Sequence, residues 1–203
     1  MRLQRPLHRG CPCRDARPYH TNAVALGFSV SGECVFSPTG SKMEEHKGLR
    51  LRPATLEDAD RLLRWRNDPE TRRRSRRKGP VDPDRHIQWL TAALADEHLR
   101  IFIAEEDARP VGTVRAERIE DVWELSWTVA PEARGCGVGS RMVVLLAHQI
   151  RGPIRAEMQA DHAASARIAE KAGMTYDRTD GEIAHYSRPS ADGAVSDFEP
   201  GDG

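Results

Sequence analysis

Several common signatures are missing from this chain of 203 residues. It has no excess of charge: 31 lysines and arginines balance 31 acids, for a formal net charge of zero. A global field for nucleic acid or for an anionic membrane is therefore excluded as an organising feature. No run approaches about eighteen consecutive apolar residues, so no transmembrane helix is expected. Its four cysteines, Cys11, Cys13, Cys34 and Cys136, make no disulfide framework, because three sit in an aperiodic N-terminus and one in a glycine-rich turn. A reducing cytoplasm is the expected compartment. Cys11-Pro12-Cys13 with His8 and His20 fits no common zinc spacing, so no metal site is expected. The apolar run Ala23 to Val30 is broken by Gly27 and lacks a small-residue cleavage site, and Glu33 precedes Cys34, so neither a signal peptide nor a lipoprotein leader is read there.

What is present is concentrated in the middle. Val129-Ala130-Pro131-Glu132-Ala133-Arg134-Gly135-Cys136-Gly137-Val138-Gly139-Ser140-Arg141 joins an alternating strand to an apolar helix through three alternating glycines. Glycines let backbone N–H groups converge, and a helix N-terminus adds about half a positive charge, so this turn is built for an anion. Arg134 would add a full charge beside it. The ligand suggested is a phosphate or pyrophosphate. A dinucleotide fingerprint needs G-x-G-x-x-G early in a βαβ unit, and a Walker loop needs G-K-[ST]; Gly135-x-Gly137-x-Gly139-Ser140-Arg141 satisfies neither.

Residues 1–42 carry scattered Arg, Pro and Gly with no periodicity and are read as a disordered extension, with Met43 the natural beginning. The folded domain is read as 43–188, and 189–203 as a disordered acidic tail. Within the domain, Leu49–Pro53 alternates as a short strand. Thr55 with Asp58 opens a helix whose face is Leu56, Ala59, Leu62 and Leu63, closing at Trp65-Arg66-Asn67-Asp68-Pro69. A basic run follows, Arg72-Arg73-Arg74-Ser75-Arg76-Arg77-Lys78. Asp82-Pro83 opens a second helix with Ile87, Leu90 and Leu94 at core spacing. Strands are expected from Leu99, from Val111 to Arg118 and from Val122 to Val129, where Trp123, Leu125, Trp127 and Val129 oppose Glu124, Ser126 and Thr128. After the loop helix come a strand at Ile154, Ala156 and Met158 and a helix over 163–172. The helix carries Ala164, Ile168 and Ala172 on one stripe, and Gly173 at its end. Strands at 174–176 and 182–186 close the chain.

The stretch Arg134-Gly135-Cys136-Gly137-Val138-Gly139 resembles the acetyl-CoA loop of the GNAT family of N-acetyltransferases, R-G-x-G-x-G after V-x-P-x-x-R. Ala163 to Met174 resembles that family's second motif, N-x-x-S-x-R-x-x-E-K-x-G-F, matching at Ser165, Arg167, Glu170, Lys171 and Gly173. His162 stands where the family has asparagine, and Ala169 where many members place the tyrosine that protonates the leaving thiolate. The resemblance covers roughly 49–188. It implies an α/β (α+β) GNAT fold: a mostly antiparallel mixed sheet of six to seven strands with about four helices, in the order β-α-α-β-β-β-α-β-α-β-β. It implies acetyl-CoA as co-substrate, held by Arg134, Gly135, Gly137, Val138, Gly139 and Ser140, by backbone around Val129, and by His162 and Ser165 beside the pantetheine arm.

Acyl transfer to an amine needs a neutral nucleophile, and an ammonium with a pKa of about 10 needs a base. Glu124 is the candidate, on a polar strand face just before the loop, where the resemblance also places a catalytic glutamate. A thiol with a pKa of about 8.5 leaves tolerably without an acid; Tyr176 and Tyr186 are possible donors that no spacing selects. In this fold the first two helices form the acceptor side. Trp65, Arg66, Asn67, Arg73, Arg74 and Arg76 are accordingly candidate acceptor-binding residues, since six cations in seven residues repel unless an anion sits among them. The segment resembles acetyltransferases of nucleotide-linked amino sugars, whose base or sugar could stack on Trp65 or Trp89. A protein N-terminal acetyltransferase of the ribosomal-protein type is the alternative acceptor reading, and a non-catalytic acyl-CoA-binding module the alternative of another class. Nucleic acid and membrane are not expected partners; monomer and homodimer both remain open.

Overall fold

The computed structural model describes residues 48–190. The expectations for residues 1–42 and for the tail beyond residue 190 lie outside the described residues, as does the His8, Cys11, Cys13 and His20 group. The elements run β1 (Leu49–Pro53), α1 (Ala59–Asn67), α2 (Pro69–Arg74), α3 (Pro83–Ala95), β2 (Leu99–Glu106), β3 (Arg109–Ile119) and β4 (Val122–Val129), then α4 (Val138–Gln149), β5 (Ile154–Gln159), α5 (Ala163–Lys171), β6 (Thr175–Asp180) and β7 (Ile183–Arg188). One seven-stranded sheet has the order β1-β2-β3-β4-β5-β7-β6. Every neighbouring pair is antiparallel except β4 and β5. The sheet agrees with the expected architecture.

Five helices stand where about four were expected, because the basic run begins inside a helix. Asp68 caps α2 by accepting the Thr71 N–H at 2.9 Å, and Pro69 takes the first helical position, where its missing donor costs nothing. Asp82-Pro83 opens α3 in the same way, with the Asp82 side chain accepting from Asp84 and Arg85 N–H.

Two expected helix faces are also rotated. In α3 the buried residues are His86, Leu90 and Ala93, while Ile87 and Leu94 are exposed. His86 is drawn inward by its Nε2 contact with the Ala59 carbonyl at 3.0 Å, which turns Ile87 away. In α5 the inward side chains are Ser165 and Ala169 rather than Ala164, since the Ser165 hydroxyl meets the His162 ring. Leu56 is exposed in a single 3-10 turn ahead of α1. Gly173 ends α5 as expected, at φ 83°. The Met174 N–H reaches the Ala169 carbonyl and the Gly173 N–H the Glu170 carbonyl, closing the helix in a Schellman turn.

The β4-α4-β5 crossover lays α4 on one face of the sheet, and α5 packs beside it. There α4 meets the face of β3 that carries Gly112, Val114 and Ala116, in register with Val129, Trp127 and Leu125 of β4. On the other face α3 packs on β2 and α1 on β4. Buried Asp58 pins α1 to β1: both its oxygens accept from Arg52, at 2.7 and 2.8 Å, and it also binds Arg61 and the Thr55 N–H. Burial alone would raise the Asp58 pKa, but the Arg52 guanidinium, the Thr55 N–H and Arg61 hold it below the ordinary carboxylate range.

Candidate active site

The site forms where β4 and β5 part. Their pairing covers Trp123, Glu124 and Leu125 against Ile154, Arg155 and Ala156, and goes no further. From Ser126 to Val129 β4 keeps β3 as its partner on one side only, while β5 continues against β7. Alternate backbone N–H and C=O groups of this part of β4 therefore open into the wedge between the strands. Val129 lies at its mouth.

The three glycines beyond the wedge do different jobs. Gly135 and Gly137 have φ of 77° and 73°, and a Cβ on either would meet nothing within 4 Å. Gly139 is helical and crowded: its Cβ would come 2.7 Å from Ile168 Cδ1 and 3.1 Å from Val129 Cγ2. Two glycines thus shape an open backbone turn and the third lets α4 sit against α5 and β4. Gly137 caps α4 without a side-chain acceptor, so the first-turn N–H groups of Val138, Gly139 and Ser140 face outward unpaired, as an anion site requires. Arg134 does not point its charge freely there. Its Nη2 donates to Asp68 Oδ2 at 2.6 Å and to Thr71 Oγ1 at 2.9 Å, tying the loop to the start of α2. Burial works to raise the Asp68 pKa, but Arg134 and the Thr71 N–H hold it below its usual value.

The second motif closes the wedge from the α5 side. His162 is the N-cap of α5, and its Nδ1 lies 2.9 Å from the Ser165 hydroxyl. Burial, then the nearby Arg74 charge, depresses the His162 pKa, which favours the neutral imidazole. Ala169 is fully buried. Tyr176 is exposed and packs edge-on against buried Tyr186 with ring centroids 5.7 Å apart, so both serve as neighbours in the sheet.

Glu124 faces the other side of the sheet. Register sets Glu117, Glu124, Arg155 and Ser187 in one row across β3, β4, β5 and β7. Arg155 holds the Glu124 carboxylate through Oε2, with Nε and Nη2 each at 3.0 Å. A second row places Glu157 beside His185, whose Nε2 also lies 3.1 Å from Asp180. A cavity of about 360 Å³ runs along this part of the face, lined among others by Arg155, Glu157, Arg178 and His185.

The basic run arches toward that face. Arg76 pairs with Glu157 on β5, and Arg74 with Asp161 at 2.8 Å and Glu70 at 3.3 Å. Arg73 pairs with Glu70. Asn67 exchanges two hydrogen bonds with Val81, at 2.9 and 2.7 Å, and Arg66 donates to the Arg77 carbonyl at 2.6 Å. Of the two tryptophans offered for stacking, Trp65 is 4% exposed and belongs to the core, so it has no ring face to give. Trp89 is 43% exposed. Arg155, Glu157, Asp161 and His185 went unnoticed in the sequence. Their pairing depends on strand register and on where α2 lands, and spacing carries neither.

Among known families, the model of the acetyltransferase (GNAT) domain matches residues 48–175. The chain belongs to the GNAT acetyltransferase family. It is an N-acetyltransferase with acetyl-CoA as co-substrate. Solved structures with this fold include the ribosomal-protein-alanine N-acetyltransferase from Brucella melitensis, at TM-score 0.59 and 21% identity over 69% of this chain and 99% of that one. They include yncA from Salmonella typhimurium, solved with its cofactor acetyl-CoA, at TM-score 0.60 and 17% identity over 74% and 98%. The spermidine N-acetyltransferase from Vibrio cholerae, with CoA and spermine, stands at TM-score 0.60 and 14% identity over 69% and 93%. No protein of curated function matches the chain. Among the described residues, no helix is long and apolar enough to cross a membrane, and no cluster of His, Cys, Asp and Glu could hold a metal ion.

Proposed function

We propose that this GNAT enzyme acetylates the primary amine of a small anionic acceptor, with nucleotide-linked amino sugars the leading class. The observation behind this is the pairing of opposite charges along one open face: Glu124 with Arg155 on the sheet, and Arg74 and Arg76 reaching down to Asp161 and Glu157. Such partly exposed pairs are worth about 0–1 kcal/mol each, so they exchange readily for a better partner. An acceptor that carries both an ammonium and phosphates offers one: acids for the amine, arginine forks for the phosphates.

The donor would be held by the outward N–H groups at the start of α4 and by the open turn at Gly135 and Gly137, which leave room that a Cβ would fill. Backbone around Val129, with His162 and Ser165, would flank its pantetheine arm. When bound, acetyl-CoA supplies the thioester acyl group. The chain's own part is to bring the amine to the wedge and to take its proton. Both Arg155 contacts fall on Glu124 Oε2, which leaves Oε1 without a hydrogen bond to protein and able to accept that proton. Ala169 cannot act as a thiolate acid, so the thiolate leaves unassisted or the proton comes from the His162–Ser165 pair.

The test is a thiol-release screen with acetyl-CoA against nucleotide-linked amino sugars, free amino sugars, polyamines and peptides. The expected result is highest kcat/KM on the nucleotide-linked amine. Preference for peptides would move the protein to N-terminal acetylation of proteins, and CoA binding with no turnover on any amine would make it an acyl-CoA-binding module.

A further inference from the structure

The arginine run is divided into two sets. Arg73, Arg74 and Arg76 are each matched by a carboxylate: Glu70, Asp161 or Glu157. Arg66, Arg72 and Arg77 form no ion pair with any carboxylate among the described residues. Their bonds go to backbone instead, Arg66 Nη2 to the Arg77 carbonyl at 2.6 Å and Arg72 Nε to the Lys78 carbonyl at 3.0 Å. The acids on α2 are already engaged, Asp68 with Arg134 and Glu70 with Arg73 and Arg74. Arg66 Nη1 is buried and has no acceptor. Three like charges therefore converge on one corner, with a buried guanidinium N–H left unmatched.

Such a corner is costly as it stands. A buried unsatisfied donor on a charged group carries that group's full desolvation penalty, and like charges add to it. Burial, then the Arg72 and Arg77 charges, depresses the Arg66 pKa from its usual value, as expected of a cation crowded by its own kind. The corner is also held in shape. The two arginine–carbonyl bonds and the paired Asn67–Val81 bonds fasten residues 77–81 to the ends of α1 and α2. A tetrahedral oxyanion presents several acceptors at once and suits guanidinium forks better than a single carboxylate does.

We infer that Arg66, Arg72 and Arg77 form an oxyanion subsite for a phosphate or diphosphate, and that this subsite is the first anchor of the anionic part of the acceptor, ahead of the ion-paired Arg74 and Arg76. The assignment to the acceptor rests on the proposed function; the subsite itself rests on the three arginines.

The full chain, saturated with CoA so that the glycine turn is filled, is titrated calorimetrically with inorganic pyrophosphate. CoA affinity is measured first, and its absence would count against the donor reading alone. The wild type should bind one pyrophosphate, more weakly as salt rises. Arg72→Gln/Arg77→Gln should weaken that binding about tenfold or more, and both side chains lie away from the core, so the melting temperature checks folding. Arg73→Gln should stay within about twofold, because Glu70 already neutralises that charge. Equal losses in the two variants, or no loss in the double one, overturn the subsite. With a nucleotide-linked amine as acceptor, the double variant should raise KM with kcat nearly unchanged; a lowered pyrophosphate affinity with KM unmoved overturns the assignment to the acceptor.

Discussion

The side proposed for the donor and the side proposed for the acceptor are built from different materials. On the donor side the chemistry belongs to the main chain. Two positive-φ glycines, an uncapped helix start and an unpaired stretch of β4 present N–H groups that no side chain needs to supply. On the acceptor side nearly everything is side chain, and the groups are bound to each other: Arg76 to Glu157, Arg74 to Asp161, Arg155 to Glu124. A main-chain site is rigid and reads one chemical feature, a pyrophosphate. A lattice of exchangeable ion pairs can be rearranged by substitution at little cost to the fold.

The largest effect should come at the point where the two sides meet. Glu124→Gln should lower kcat by roughly 10²–10⁴-fold if the carboxylate takes the amine proton, with CoA affinity unchanged. Raising pH should restore part of the rate, because more of the amine is then neutral without help. Full activity of the glutamine variant in steady-state kinetics would remove Glu124 as the base.

The next largest effect tests whether the acceptor side is as tolerant as this contrast implies. Asp58 is the exception there, a buried carboxylate that anchors α1. Asp58→Ala should destabilise the protein by about 1.5–3 kcal/mol, read by urea unfolding, since it removes the bidentate partner of Arg52 while Glu105 still holds that guanidinium at 2.7 Å. Because the folded pKa of Asp58 is depressed, its contribution is complete above the unfolded value of about 3.9 and is lost as pH falls through the lower folded pKa. The wild type should therefore lose stability in that acid range more steeply than Asp58→Ala. Parallel acid profiles for the two would show that the anchor lies elsewhere.

This division also determines what could be read before the structure was known. The glycine turn, β4 and the Schellman end of α5 were legible because backbone chemistry is written in single residues: glycine where φ is positive, proline where a strand stops. α2 is marked only by its Asp68-Pro69-Glu70 opening, the same as Asp82-Pro83-Asp84; its six residues bury no side chain, so no apolar periodicity announces a helix there. Trp65 looked like a stacking platform because aromatic beside arginine is a binding pattern, but it falls on the buried side of α1 with Leu62. The partners of Arg74 and Arg76 were out of reach. Arg74 and Asp161 are 87 residues apart in the chain, and only the folded sheet brings them to one edge.

Within the donor side, the glycines should separate by mechanism. Gly137→Val forces a β-branched residue into φ 73°, strain of roughly 1–3 kcal/mol, in a place where its Cβ meets no protein atom. It should fold, melt slightly lower and lose most of its CoA affinity. Gly139→Ala instead drives a methyl against Ile168 and Val129, so it should lower the melting temperature by a few degrees while a residual, moderately weakened CoA site survives. Calorimetry and thermal melts on both variants check this. If Gly137→Val binds CoA as tightly as the wild type, the open turn is not the donor site.

The smallest effect expected concerns a charged contact that crosses from donor to acceptor side, Arg134 with Asp68. Two roles compete for the Arg134 guanidinium: it can hold α2, as seen here at 2.6 Å, or neutralise a pyrophosphate at the glycine turn beside it. The pair is partly exposed, so breaking it costs about 1 kcal/mol at most, a factor of about five in an equilibrium constant. Asp68→Asn keeps an N-cap acceptor for the Thr71 N–H, because asparagine caps as well as aspartate, and it removes only the charge that competes for Arg134. CoA affinity should therefore rise by a few fold in Asp68→Asn and fall in Arg134→Ala. In the double variant the Asp68 change should have no effect on CoA, since there is no arginine left to release. Opposite signs in the single variants, read by calorimetry at low salt, mean that donor binding draws on an arginine borrowed from the acceptor side. If Asp68→Asn instead weakens CoA, the ion pair works by shaping the glycine turn, and the two sides are joined by structure rather than by competition for charge.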